Sequence, residues 1–303
     1  MTGSADISII GCGKVGAAIA QLAAGAGRKV AALASRNPDS ARDLAVKIGT
    51  PQAACDIARA AGTGGLVLLT VSDDAIEPLC GELARDGAFA EGGIVAHCSG
   101  ALGSDILASA RDSCGSLIAS IHPLTTFPTA TAAVEKFAGT YCFCEGDSGA
   151  TDALMELAGD IGGKPMLINS EAKVLYHAAA VMACNYLTAL LDAAVTLCGQ
   201  AGIDRQTALQ ALGPLAVATL ENVTKLGPPA ALTGPIARGD ARTVGRHIEA
   251  LARCDKDLQD FYRIAGKWTL QLAAVRDERN HSNQNRANDD AIAKLLDTHN
   301  RQE

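Results

Sequence analysis

Apolar residues fall in two patterns along this chain. In the first half they come as short unbroken runs: Ile7–Ile10, Lys29–Ser35 (KVAALAS), Leu66–Val71 (LVLLTV), Gly93–Cys98, Leu117–Ile121, Tyr141–Cys144 and Pro165–Ile168. Runs without alternation are expected of strands covered on both faces, as in a parallel sheet. Between them lie helical segments. Ala17–Ala23 is one, and Pro38–Ile48, with Asn37 as N-cap and Pro38 at the first helical position, is a second. Ala75–Ala84 follows the capping run Ser72-Asp73-Asp74, and Gly149–Ile161 comes last. Strand and helix in alternation predict a doubly wound α/β domain with a mostly parallel sheet.

After Asn169 the strand pattern ends. Glu171–Gly199 reads as one long alanine-rich helix, apolar nearly all round and interrupted by His177, Asn185, Thr188 and Asp192. Those polar groups argue for a buried helix of an all-α domain over a membrane span. Shorter helices are expected over Asp204–Leu212, Leu215–Leu226, Ala241–Arg253 and Lys256–Val275. From Arg276 the chain turns polar, apart from an amphipathic piece at Ala291–Leu296. The expected organisation is therefore an α/β domain over 1–168, a helical domain over 169–276 and a mobile polar tail over 277–303.

Composition narrows the function classes. Of 303 residues 48% are hydrophobic and 19% charged, and the net charge is −7. No basic cluster occurs, so nucleic acid and anionic membrane are not expected as partners. The ten cysteines include no Cys-x-x-Cys pair. Reduced thiols, a cytoplasmic location and no bound metal are the expectation. Cys142 and Cys144 alternate along a strand and should share a face.

The first strand runs into Gly11-Cys12-Gly13-Lys14-Val15-Gly16, a Gly-x-Gly-x-x-Gly turn that opens a helix. Gly11 allows the tight turn, Gly13 lets a pyrophosphate approach the backbone, and Gly16 lets helix and strand pack closely. The N–H groups at the helix start, with the helix dipole behind them, favour negative charge. Where an NAD enzyme usually carries a carboxylate, after the second strand, this chain reads Ala34-Ser35-Arg36-Asn37. Ser35 and Arg36 can hold a 2′-phosphate, which favours NADP over NAD. Val71, Ser72, Ser99 and His122 follow strand ends and should line the same crevice.

These features resemble the superfamily that holds the 6-phosphogluconate, 3-hydroxyacid and prephenate dehydrogenases, ketopantoate reductase and pyrroline-5-carboxylate reductase. More narrowly, HCSGAL (His97–Leu102), HPLTTF (His122–Phe127), KVLYHAAAVMACNYLTAL (Lys173–Leu190) and LTGPIARGD (Leu232–Asp240) are similar to a family of Rossmann-type oxidoreductases with an uncharacterised helical second domain. The resemblance implies a dinucleotide cofactor, a helical substrate domain and dimerisation through that domain. Asn185–Leu190 is similar to the stretch around a functional Asn of ketopantoate reductases. In that alignment their lysine falls at His177 and their intervening Asn at Val181. Lys173, one turn earlier, becomes the lysine after a shift. The His122-Pro123 pair is similar to the His-Pro of prephenate dehydrogenases.

Reducing a carbonyl requires a proton donor and stabilisation of developing charge beside the hydride carrier. Lys173 and His177 are four residues apart and share a helix face. Asn185 lies two turns on, offset by roughly 80°. His177 is the first choice for proton donor, against the bland alternative of a satisfied core histidine. Asn185 can hold a carbonyl oxygen or join two helices. Lys173 is either catalytic or a solvated charge. Ser99 can bind cofactor or substrate, or only shape a turn. Arg238 can clamp a carboxylate, or pair with Asp240 or Glu249. The sequence thus reads as an NADP-dependent oxidoreductase of a small carboxylated metabolite, 2-oxoacid or ketopantoate-like. The rivals are an imine reductase of pyrroline-5-carboxylate type and a non-catalytic NADP-binding regulator.

Overall fold

A computed structural model describes residues 5–50, 53–277 and 283–297. The chain forms two compact units, residues 1–183 and 184–303.

In the first unit the seven strands are β1 (Ile7–Ile10), β2 (Val30–Ala34), β3 (Leu66–Leu69), β4 (Ile94–His97), β5 (Leu117–Pro123), β6 (Tyr141–Gly146) and β7 (Lys164–Leu167). They make one sheet in the order β2-β1-β3-β4-β5-β6-β7. All neighbours pair in parallel except β5 and β6, which are antiparallel. The helices are α1 (Lys14–Gly25), α2 (Pro38–Lys47), α3 (Ile57–Thr63), α4 (Asp73–Arg85), α5 (Ala108–Cys114), α6 (Ala130–Glu135), α7 (Ser148–Asp160) and α8 (Lys173–Val181). The expected doubly wound, mostly parallel sheet is present.

Strand pleating splits the apolar runs between two cores. Ile7, Ile9, Leu33, Leu66, Leu68, Ile121, Cys142 and Cys144 are buried together with residues of α1, α2 and α7. Ile10, Ala32, Ala34, Val67, Leu69, Val95 and Ile118 are buried with residues of α3, α4 and α5. Because both faces are covered, no alternation shows in the sequence. β1 pairs with β2 on one side and β3 on the other, so connections leave it in opposite directions. That reversal opens a crevice at the carboxyl ends of β1 and β3.

The second unit contains α9 (Leu187–Gln200), α10 (Arg205–Leu226), α11 (Pro228–Ala231), α12 (Ala241–Leu251), α13 (Lys256–Asp277) and α14 (Asn283–Leu296). Asp204 caps α10 by accepting from the N–H groups of Gln206 and Thr207. The two helices expected over 204–226 are one, and α10 runs through Pro214. A small core joins Ile236, Val244, Ile292 and Leu296. Leu296 reaches it because Gly266 on α13 has no side chain; a Cβ there would come 2.7 Å from Leu296 Cδ2.

Three expectations change. The helix expected over Glu171–Gly199 is segmented into a 3-10 turn at Ser170–Ala172, then α8, a π-turn at Met182–Tyr186 and α9. It is not buried: only 6% of its most apolar window is covered, with Val174, Leu175, Met182, Leu187 and Leu190 exposed. Length and composition would let this stretch, of mean hydropathy 1.6, cross a membrane. Secondly, the division falls at 183/184, later than the expected 168/169. α8 stays with the first unit because Lys173 is buried there, only 1% exposed. Thirdly, the polar tail is not featureless. α14 docks through Ile292 and Leu296, both fully buried, because these are four residues apart and form one apolar stripe. The rest of that tail, 278–282 and 298–303, lies outside the described residues.

Candidate functional site

The Gly-rich turn is a cradle made of backbone. Gly11 has φ +112°, a left-handed conformation, and a Cβ on it would meet the Thr70 carbonyl at 2.8 Å. Thr70 Oγ1 donates to Gly11 O at 2.6 Å and ties the turn to the end of β3. A Cβ on Gly16 would come 2.1 Å from Gly11 O, so glycine sets the closeness of α1 to β1. At Gly13 nothing lies within 4 Å of a built Cβ, and α1 has no side-chain cap. Its first N–H groups therefore face open space. A cavity of about 490 Å³ begins there, lined by Gly11, Gly13, Ser35, Arg36, Thr70, Val71 and Ser72 among others. Arg36 is exposed and has no ion pair among the described residues. An open glycine cradle, unpartnered helix N–H groups and a free guanidinium fit a dinucleotide with a 2′-phosphate. Of the other expected cofactor residues, Cys12 is turned away. Its thiol contacts Ala34 O at 3.4 Å, and burial raises its pKa to about 11. Lys14 is exposed at the helix start.

A second cluster adjoins the first through α4. Ser72 lines the cavity, and the next residue, Asp73, accepts from Ser99 Oγ at 2.8 Å. Ser99 Oγ also accepts from the N–H groups of Ala101 and Leu102 at 3.2 and 3.1 Å. Its hydroxyl is spent on shaping the loop after β4. His97 braces the same loop, accepting from Ser99 N at Nδ1 (3.1 Å) and donating from Nε2 to Gly103 O (3.0 Å). Burial, with Lys173 nearby, lowers its pKa to about 4.

Antiparallel pairing of β5 and β6 places Ser120 opposite Glu145 and His122 opposite Phe143. Directly opposed residues share a face, and helix α8 lies over this one. Lys173 Nζ donates to Ser120 Oγ at 2.6 Å and to Ser99 O at 3.0 Å, and lies 3.4 Å from Glu145 Oε1. Glu145 accepts from Ser104 N and Oγ, both at 2.9 Å, and from the hydroxyls of Ser120 and Ser170. Burial would raise the Glu145 carboxyl, but the serine hydrogen bonds and the Lys173 charge outweigh it and hold it low. Burial also lowers Lys173, against the pull of Glu145. The alternative of a solvated Lys173 is thus excluded, because the ammonium is buried among three oxygen partners, Ser99 O, Ser120 Oγ and Glu145 Oε1.

One turn further, Tyr176 and His177 meet His122. The Tyr176 hydroxyl lies 2.9 Å from His122 Nδ1. The rings of His122 and His177 are 5.9 Å apart, edge to face. Between them is Gly100, where a Cβ would fall 2.6 Å from His177 Cδ2 and 2.7 Å from His122 Cε1. Only glycine lets the loop pass between the two imidazoles. Burial, then the positive fields of His177 and Lys173, lower the His122 pKa to about 4.

Four of the residues expected to act on substrate, Lys173, His177, His122 and Ser99, therefore come together. Asn185 and Arg238 lie outside the first unit. Both belong to the second unit and are exposed, Asn185 within the π-turn and Arg238 in a 3-10 turn. Glu145, Ser120, Tyr176 and His97 were not singled out from sequence. His97 and Tyr176 stood inside the quoted motifs, whereas Ser120 and Glu145 become neighbours only through strand pairing.

Residues 3–123 match a Rossmann-like domain, and residues 140–269 match a domain of unknown function, DUF2520. No curated protein sequence matches the chain. Among solved structures, a Bacteroides fragilis protein described as a candidate NADP oxidoreductase is similar at 22% identity and TM-score 0.71, covering 88% of this chain and 98% of its own. The Thermotoga maritima protein TM1727 matches at 24% and 0.67, covering 91% and 100%. A pyrroline-5-carboxylate reductase from Coxiella burnetii matches at 15% and 0.56, covering 98% and 100%. Imine reductases and a reductive aminase seen with NADPH match at 15% to 18%. The resemblance read from sequence is borne out in family model and in fold.

Proposed function

We propose that the protein is a cytoplasmic, NADP-dependent oxidoreductase of a small metabolite, reducing a carbonyl or an imine. One observation carries the reading. The cavity at the glycine turn is lined by Ser72, and the next residue, Asp73, bonds to Ser99 in the loop that two histidines enclose. Gly11, Gly13 and Gly16 with the start of α1 would hold the pyrophosphate, and Ser35 with Arg36 the 2′-phosphate. When bound, the nicotinamide supplies or takes up the hydride.

The remaining chemistry falls to side chains of the first unit. Neutral His122 is a hydrogen-bond donor rather than an acid, since its pKa is lowered to about 4. The charge of Lys173 is committed to Glu145, so Lys173 positions the loop through Ser99 O and does not meet a substrate. That leaves His177 to move the proton, in agreement with the first choice from sequence. A carboxylated substrate, 2-oxoacid or ketopantoate-like, is the leading class, with exposed Arg238 as the candidate clamp. The imine alternative is favoured by the relatives that are named for C=N reduction. The apolar residues left bare on the second unit, including Leu209, Leu215, Val217 and Leu220, support the expected homodimer.

NADPH oxidation over a panel of 2-oxoacids, ketones and cyclic imines tests the reading. Turnover on any member upholds it. Tight NADPH binding without turnover on all of them would favour the regulator.

A further inference from the structure

His122 offers one ring nitrogen to the protein and keeps the other for the site. Tyr176 approaches Nδ1 at 2.9 Å, its ring held by Phe143 at 4.5 Å between centroids. A phenol is a strong donor and a weak acceptor, because its lone pair is shared with the ring; a neutral imidazole has one good acceptor nitrogen. Burial raises the Tyr176 pKa to about 12 and lowers that of His122 to about 4, so both are neutral at pH 7. The bond therefore runs from the phenol O–H to Nδ1, and the ring proton sits on Nε2. Nε2 lies on the Gly100 side, 2.8 Å from a Cβ built there, with no hydrogen-bond partner among the described residues.

We infer that Tyr176 is a positioning residue that locks His122 in the Nε2–H tautomer, so that the site selects a substrate heteroatom with a lone pair to offer, a carbonyl oxygen, over a protonated imine. An iminium brings its own N–H and would face another donor. The substrate half rests on the oxidoreductase reading; the tautomer half does not.

Nitrogen-15 NMR of the imidazoles in the protein alone reads the tautomer. The expected result is an unprotonated Nδ1 and a protonated Nε2 at His122. Tyr176→Phe keeps the ring on Phe143 and should give a mixture of tautomers and a His122 titration moved upward. A protonated Nδ1 in the unaltered protein, or a tautomer unchanged by Tyr176→Phe, overturns the inference. The second arm compares rings of one size, cyclopentanone and 1-pyrroline, with NADPH. A higher kcat/KM for the ketone, reduced about 3–10-fold by Tyr176→Phe with NADPH affinity retained, supports it. Preference for 1-pyrroline overturns it. No NADPH oxidation with either ring or with any other member of the oxoacid, ketone and cyclic-imine panel overturns the oxidoreductase reading, and the nitrogen spectrum then decides the tautomer by itself.

Discussion

The glycine turn and the histidine cluster sit at ends of the same sheet, yet they are built in opposite ways. The turn is backbone: Gly11, Gly13 and Gly16 act through what they lack, and all lie within six residues. The cluster is side chain: Lys173, Glu145, Ser120, His122, Tyr176 and His177 come from β5, β6 and α8, and each is held by another. A backbone site tolerates exchange of its neighbours but not of its glycines. A side-chain network fails when one member leaves a buried partner unsatisfied. The two should therefore respond differently to substitution.

The largest effect is expected at His177. His177→Ala should slow single-turnover hydride transfer by about 10²–10⁴-fold while NADPH affinity stays within a few-fold. A normal rate per folded molecule together with an earlier melt would mark His177 as packing only and move the proton elsewhere. Next comes Glu145→Ala, which strands the Lys173 ammonium in a site where it is 1% exposed. A loss of about 3–5 kcal/mol in urea unfolding is expected. Lys173→Met combined with Glu145→Gln should recover part of it, and failure to recover would show that the serines, not the ion pair, carry the site.

Acid sharpens the contrast further. His97 has a folded pKa of about 4, against roughly 6.5 when unfolded. Between those values the unfolded chain binds more protons. Stability from this group is thus complete above about pH 6.5 and is lost as pH falls toward 4, by about 3 kcal/mol. Denaturant midpoints from pH 7 to 4.5 should fall less steeply in His97→Asn. The smallest effect belongs to the backbone site's one charged contact. Arg36→Ala should weaken NADPH by about 1.5–3 kcal/mol and leave NADH nearly unchanged in parallel titrations. Equal losses for the two cofactors would remove the 2′-phosphate assignment.

The same difference explains what could be read from sequence. The turn needs only local information: an apolar run, three glycines at fixed spacing and a helical run. The sheet was legible for a similar reason, since each parallel strand is a run buried on both faces. Glu145 was not legible, because the residue after a cysteine-bearing strand reads as a solvated charge until β6 is paired with β5 and Ser120 lands opposite. Lys173 was half legible; its place on the helix face with His177 was evident, its burial was not. The covering of the long helix was misread because apolar composition says that a face wants a partner, not that the same chain supplies one. α14 was underestimated since two apolar residues in a polar tail suffice when both reach a core.

The order of the two units along the chain has a further consequence in the time the chain takes to be made. The sheet is complete by Leu167, so the first unit has all its strands before the second is synthesised. At roughly 5–20 residues per second, residues 184–303 take about 6–24 s to follow. Val174, Leu175 and Met182, exposed in the finished fold as well, belong to the part of the chain made first. Seconds are long against helix formation and collapse, so the first unit has time to fold while residues 184–303 are still being added.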